Sequence, residues 1–307
     1  MSKASASAHG LETPEASVAT ISREETRSTM YARLGHYLPK VGLYVSVLTV
    51  AAYSFFPIYW MIVSSLRPGK RLFLDTTLVF WPPDLEAYRS LLSLTDYLAN
   101  FTNSLLIAAA TVVIATIVSA FIAYGATRLR FRGKTTLVAS MLFAYMFPPL
   151  MLAIPMSALF RSLGMTDSLM GLLIAHLAIS IPLAVWLLWG FFKSMPFDLE
   201  EAAMVDGCSQ FGAFIKVVLP LAAPGLITAG IFAFLLSWAD YVFALVLIMS
   251  DQNKTLPVGL ASMLGAQDLR WGELLAGATL ITVPLFLMFV FCYRYFVAGL
   301  AAGAVKG

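Results

Sequence analysis

Charge is scarce in this sequence. Only 12% of its 307 residues are Asp, Glu, Lys or Arg, against roughly 25% in a soluble domain. So little polar surface cannot cover a globule of this size in water, which excludes an ordinary soluble enzyme or binding module. Histidine is nearly absent: His9, His36 and His176 are scattered and make no metal-ligand spacing. The two cysteines, Cys208 and Cys292, give no disulfide framework, and both are expected on or near the cytoplasmic side, where a disulfide does not persist. A Gly-x-x-x-x-Gly-Lys-Ser/Thr phosphate loop is missing, so nucleotide hydrolysis by such a site is excluded. A formal charge of +3 is no footprint for nucleic acid. The chain is expected to bind no metal and no cofactor, and not to be an enzyme. A cleavable leader is not expected either, because the first apolar run, from Val41, is about 23 residues long, beyond the length of a leader's apolar core.

What is abundant is apolar. Hydrophobic residues make up 60% of the chain, and mean hydropathy is +0.82. Six segments, 41–63, 101–126, 137–160, 169–192, 221–249 and 275–296, are long enough to cross a bilayer as helices, since about 20 residues at 1.5 Å rise span roughly 30 Å of hydrocarbon. The fold class is therefore an all-α membrane protein with six transmembrane helices. Residues 1–40 form a cytoplasmic, partly disordered segment rich in Ser, Ala, Thr and Glu; 41–296 form the helical domain; 297–307 form a cytoplasmic tail. An outer loop occupies 64–100, anchored at Trp81-Pro82-Pro83, and Trp271-Gly272-Glu273 opens the last helix.

Orientation follows from the basic residues. With both termini in the cytoplasm, inner segments hold 13 Lys/Arg and outer ones seven. The short stretch Arg128–Lys134, with four basic residues and no acid, is the strongest vote. Arg67, Lys70, Arg71 and Arg89 in the first outer loop weigh against it.

One polar block interrupts the apolar pattern. After Pro196, Asp198 can cap a short helix with Glu201 three residues on, in capping-box spacing. Gly207 permits a sharp turn or a close approach. A second short helix over Ser209–Val218 ends before Leu219-Pro220. The result is a helix–turn–helix over 198–218 lying beside the membrane, with Met204, Phe211 and Phe214 as apolar knobs.

Glu201-Ala202-Ala203, Gly207, Val217 and Leu219-Pro220 resemble the EAA motif of bacterial ABC importer permeases, with Asp206-Gly207 as the acid–glycine pair that often accompanies it. The resemblance covers about Val41 to Gly307 and is closest to the carbohydrate-importer branch, in particular its maltose-permease-G-like subunit. Asn100-Phe-Thr-Asn103-Ser104, Ala123-Tyr124-Gly-Ala126-Thr-Arg128 and Pro220-Leu-Ala-Ala-Pro224-Gly225 are similar to further family patterns. Trp238-Ala239-Asp240 departs from them, because relatives carry Asn where Ala239 stands.

The resemblance implies a type I ABC importer permease (MetI-like) fold in a bacterial inner membrane. It implies a second permease, two copies of a cytoplasmic ATPase that consume ATP and Mg, an extracytoplasmic solute-binding protein, and a carbohydrate substrate. It assigns the ATPase-coupling role to Glu200, Glu201, Ala202, Ala203, Met204, Asp206, Gly207, Phe211, Leu219 and Pro220. The tail 297–307 is either an ATPase contact or a frayed end.

Candidates for the substrate path have two readings each. Asp240, costly in lipid, is either a sugar contact beside Trp238 or a helix-to-helix hydrogen bond. His176 is a packing group or a substrate contact. Tyr145 and Met151, beside the Pro148-Pro149 break, are a gate or ordinary packing. Asn103 is an interhelical polar contact or a ligand. The rival functions are a permease for a non-sugar solute such as glycerol phosphate, and an ion-coupled secondary transporter, which would need a charge network inside the membrane.

Overall fold

The computed structural model describes the backbone of residues 14–304 except 70–71, 73–76, 80–81 and 266–269, and side chains from Lys40 to Tyr295 with those gaps and Leu94 left out. Trp81 therefore lies outside the described residues. The chain forms two compact units, 1–60 and 61–307. In the first unit α1 (Pro14–Ser65, running into the second) is helical from Pro14, a residue suited to the first helical turn. The expectation of a partly disordered 1–40 segment thus meets a helical backbone from 14 onward. Over 41–56 the large apolar side chains are exposed, and the Ser46 and Thr49 hydroxyls bond back to the carbonyls of Gly42 and Val45, as a lipid-facing span requires.

The elements of the second unit, among its described residues, are all helices. After α2 (Glu86–Leu94) comes α3 (Tyr97–Arg128), a single uninterrupted helix of 32 residues. Helices α4 (Lys134–Tyr145) and α5 (Pro149–Ser162) meet at 96°. Helix α6 spans Leu169–Ser194, and the polar block supplies α7 (Asp198–Val205) and α8 (Gln210–Ala213). A π-helical turn, Phe214–Val218, leads to α9 (Leu219–Leu221), and 210–221 meets α10 (Ala223–Trp238) at 74°. Helices α11 (Val242–Leu247), α12 (Leu256–Met263) and α13 (Trp271–Ala304) complete the order. Among the described residues four helical stretches are long and apolar enough to span alone, and six if each bent pair counts as one.

Two boundaries differ from the sequence reading. The expected stop before Leu219-Pro220 is absent: helix continues through Pro220 to Leu221 and bends at Ala222. Pro220 follows directly on the π-helical turn, where Leu219 N–H bonds back five residues to Phe214 O and the regular four-residue ladder that a proline would interrupt is already broken. The expected fifth segment, 221–249, is divided at 239–241 between α10 and α11. The divider is Asp240, whose side chain bonds the backbone ahead of it and competes with continued helix.

Helices α3, α6 and α10 pack on one another, α4 leans on α6, α11 on α5, and α13 on α10 and α2. Small residues mark these contacts: Ala120, Ala123, Ala126, Ala184 and Ala229 are buried in one cluster with Leu188, Phe192 and Phe214. Small side chains let helix backbones approach where lipid supplies no hydrophobic drive. Gly225 shows how close they come, because a Cβ there would stand 2.7 Å from the Phe191 ring of α6.

Candidate functional site

The helix–turn–helix is built as two faces. At 100° per residue, neighbouring glutamates in α7 point apart. Glu200 and Ala203 face inward and are buried; Glu201, Ala202 and Val205 face outward. Asp198, Glu200 and Glu201 all lie in the first turn, where acid complements the helix dipole. Asp198 is not the cap: Phe197 holds that position and makes no side-chain cap bond. The second half is capped as its composition allows, with Gly212 N–H donating to Ser209 Oγ at 3.1 Å.

The turn between the halves explains Gly207. Cys208 N–H donates to Ala203 O at 3.0 Å and Gly207 N–H to Met204 O at 3.1 Å. This pair of bonds closes α7 in a Schellman motif, which places its glycine in the left-handed region. Gly207 has φ +90°, with open space around the position of a Cβ. Of the two readings of Gly207, the turn is realised within this chain.

Behind the elbow sits a buried polar cluster. Glu200 is 1% exposed. Its Oε1 accepts from Arg128 Nε at 2.5 Å and its Oε2 from the Tyr124 hydroxyl at 2.9 Å. Arg128 also donates from Nη2 to Met195 O at 3.2 Å and lies 5.5 Å over the Phe197 ring. The Tyr124 and Phe214 rings are 4.2 Å apart. The outer face carries Val205 at 87% exposure and Phe211 at 63%, with Asp206, Gly207 and Gln210 also exposed. Met204 and Leu219 are half-buried, Ala203 is buried, and Pro220 is exposed. The assigned coupling set therefore divides. Glu201, Ala202, Asp206 and Gly207 are exposed on α7 and its turn, Phe211 is exposed but stacked on Phe121 of α3 with ring centroids 6.3 Å apart, and Glu200 and Ala203 hold the elbow to the bundle.

The path candidates separate in the same way. His176 Nε2 lies 3.1 Å from Asp240 Oδ2, and its Nδ1 lies 2.8 Å from Ser237 Oγ, which reaches Thr111 Oγ1 at 3.5 Å. Asp240 also accepts from Phe243 N–H at 3.2 Å and Ala244 N–H at 3.0 Å, starting α11. Both of its oxygens are engaged, so the helix-to-helix reading is the one the geometry realises. Trp238 is buried, stacked on Phe234 and edge-on to Phe101, with its indole N–H on Ile281 O at 3.2 Å. That position is packing. Asn103 donates to Gln252 O and Lys254 O at 2.9 and 3.0 Å, tying α3 to the chain before α12. Tyr145 lines a cavity of about 620 Å³ at the α4–α5 break, with Phe143, Phe147, Pro149 and Met156. Met151 is exposed on α5 nearby.

Sequence reasoning missed Tyr124 and Arg128 as members of the elbow site. Arg128 stood only as a topogenic charge and as part of a family pattern. Asp167 was missed as well. Its φ is +55°, and its Oδ1 accepts from Met249 N–H at 3.0 Å, Ser250 N–H at 2.9 Å and Ser250 Oγ at 2.8 Å. The Ser250 and Met249 amides hold its carboxyl below the usual carboxylate range.

The described residues thus form a multi-helix bundle with broken spans and a two-faced helical elbow at one end of α3. The chain belongs to the family of binding-protein-dependent transport system inner membrane components, whose model matches residues 115–302. It is 36% identical over 260 residues to the trehalose transport system permease protein SugB of Mycobacterium tuberculosis, covering 84% of this chain and 94% of that one. It is 32% identical over 273 residues to the trehalose/maltose transport system permease protein MalG of Thermococcus litoralis (88% and 98%). The match to the inner membrane ABC transporter permease protein YcjP of Escherichia coli has the same identity, length and coverage. A bacterial ABC transporter involved in the import of the acidic polysaccharide alginate shares the fold, with TM-score 0.71 at 23% identity, over 83% of this chain and 96% of that one. The chain is thus a multi-pass permease subunit of an ABC importer, and the ion-coupled alternative is set aside.

Proposed function

We propose that this chain forms half of the path of an ATP-driven sugar importer and receives force from a cytoplasmic ATPase on the outer face of its elbow. A second permease completes the path, an extracytoplasmic binding protein delivers a sugar or oligosaccharide, and the ATPase pair consumes ATP and Mg. The observation that carries the reading is the division of α7: Glu201, Ala202 and Val205 turn outward while Glu200 is locked inside. Exposed Val205, one turn from Glu201 on α7, suits a cleft on a soluble partner. Relatives named for trehalose and maltose transport support the sugar class. The basic-residue bias supports both termini inside. The cavity at the α4–α5 break, lined by Phe143, Tyr145 and Phe147, supplies aromatic surface to the path.

The test is uptake of labelled trehalose and maltose into proteoliposomes holding the two permeases, the ATPase and the binding protein. Glu201→Ala should remove a charge-assisted contact, about 1.5–3 kcal/mol or at least tenfold in coupled uptake, with membrane abundance unchanged. Gly207→Val should do the same through the turn, because a β-branched residue resists positive φ. Normal uptake by both variants, or uptake without the ATPase, overturns the reading.

A further inference from the structure

The elbow is joined by the backbone to α6 on one side and α10 on the other. Force applied to it would be expected to enter the bundle through those two helices. The side chains indicate another entry. Tyr124 and Arg128 are four residues apart, so they lie one above the other on a single face of α3. Both grip Glu200 of α7, at 2.9 and 2.5 Å. Tyr124 also packs against Phe214, from the other half of the elbow, with ring centroids 4.2 Å apart and the planes tilted by 37°. Arg128 holds the approach to α7 as well, through Met195 O and the Phe197 ring. One turn of α3 therefore holds both halves of the elbow and the segment that leads into it.

The chemistry of this junction is unusual for a helix-packing contact. The Arg128 and Glu200 side chains are 8% and 2% exposed. A buried ion pair is a poor source of stability, because desolvation offsets the attraction, but removing one partner leaves an uncompensated charge. Such a pair resists partial separation more sharply than an apolar contact does. Helix α3 is also an uninterrupted 32-residue helix, whereas α4–α5 and the helices around α10 are bent. At its far end Asn103 holds Gln252 O and Lys254 O, and Ser104 Oγ accepts from Leu256 N–H at 2.7 Å. The elbow and the chain before α12 are thus fastened to opposite ends of one rod.

We propose that Tyr124, Arg128 and Glu200 are positioning residues that make the elbow and α3 a single rigid lever, carrying the motor's displacement to the segment 252–256 on the other side of the membrane. The proposal rests on the docking of an ATPase at the elbow and specifies where that input goes.

The experiment uses the complete reconstituted complex. Arg128→Lys keeps the charge but loses the planar fork that serves Glu200, Met195 O and Phe197 together. It should leave the ATPase co-purifying with the permeases, while binding-protein-stimulated hydrolysis and uptake fall about tenfold or more, the loss of one charge-assisted junction. The exchanged pair, Arg128→Glu with Glu200→Arg, should recover part of the stimulation that either single change abolishes. A second measurement leaves the clamp intact. With Cys208 and Cys292 replaced by Ser, spin labels at Leu129→Cys and Gln210→Cys report the distance between the end of α3 and the elbow. That distance should be the same in nucleotide-free and ATP-bound complexes, while a Gln252→Cys label moves relative to Met146→Cys. If Arg128→Lys retains wild-type stimulation, or the α3–elbow distance changes between the two states, the lever is wrong. If the ATPase fails to co-purify even with the wild-type permeases, the docking reading fails instead.

Discussion

Asp240 shows how a residue that looks like a ligand in sequence becomes structural once its neighbours are known. Both carboxylate oxygens are engaged, by two α11 amides and by His176. Asp240→Asn keeps one acceptor oxygen and turns the other into a donor, so an α11 amide or the histidine loses its partner. The expected loss is about 1–3 kcal/mol of complex stability, read as a lower Tm, with the KM for sugar unchanged; a KM rise without a Tm change would restore the ligand reading. Asp167 is a second case, outside the spans. Its lowered pKa means that its hydrogen bonds stabilise the fold above the unfolded carboxyl's value, near 3.9, and are lost as pH falls through the lower folded value. The protection of the Met249 and Ser250 amides, measured against their intrinsic exchange rates, should therefore be unchanged between pH 7 and about 5, then fall in stronger acid. Asp167→Asn, compatible with φ +55°, should speed exchange at neutral pH and remove the carboxyl's own contribution to the acid response. The sequence displayed Glu200 and Glu201 side by side but could not say which turns inward. That choice belongs to Arg128, 72 residues earlier.

At the scale of elements, the six apolar segments were legible because hydropathy is a local sum and lipid punishes any other arrangement. The breaks at Pro148-Pro149 and after Pro196 were legible too, since proline acts on its own backbone. What escaped was decided by distant or competing groups. Helix runs through Pro220 because the π-helical turn before it has already broken the four-residue ladder. The 221–249 segment divides because Asp240 finds backbone amides ahead of it and His176 on α6. Close approach is a related property, set by two helices together. Gly225 sits where α10 meets Phe191 of α6, so Gly225→Ala should force the ring or the helix to move. Overpacking of this kind costs about 1–3 kcal/mol, measurable as earlier unfolding of the purified complex, and Phe191→Leu in the same chain should return part of it. A Gly225→Ala complex as stable as wild type would mean that the junction is looser than 2.7 Å implies.

For the whole molecule the open physical question is direction, because a helical bundle has no inherent inside. The charge bias, 13 basic residues against seven, is a statistical force exerted during insertion. Docking of an ATPase on the elbow, as proposed above, requires the same orientation, since ATP is available to a motor only in the cytoplasm. These two arguments use different residues: Arg130 and Arg132, exposed after α3, carry much of the first, and exposed Asp206 and Phe211 carry the second. They must agree, because Arg128 ties the end of α3 to α7, so the basic loop and the elbow cannot lie on opposite sides. In a cysteine-free background, Asp206→Cys should react with a membrane-impermeant maleimide only after spheroplasts are permeabilised. Asp251→Cys, on the connection that Asn103 fastens to the far part of α3, should react in intact spheroplasts; its side chain is 77% exposed. The reverse pattern would put the elbow away from ATP and end the motor reading, whatever the family resemblance. Both positions reacting in intact spheroplasts would do the same, because a span of α3's length cannot leave its two ends on one side of a bilayer.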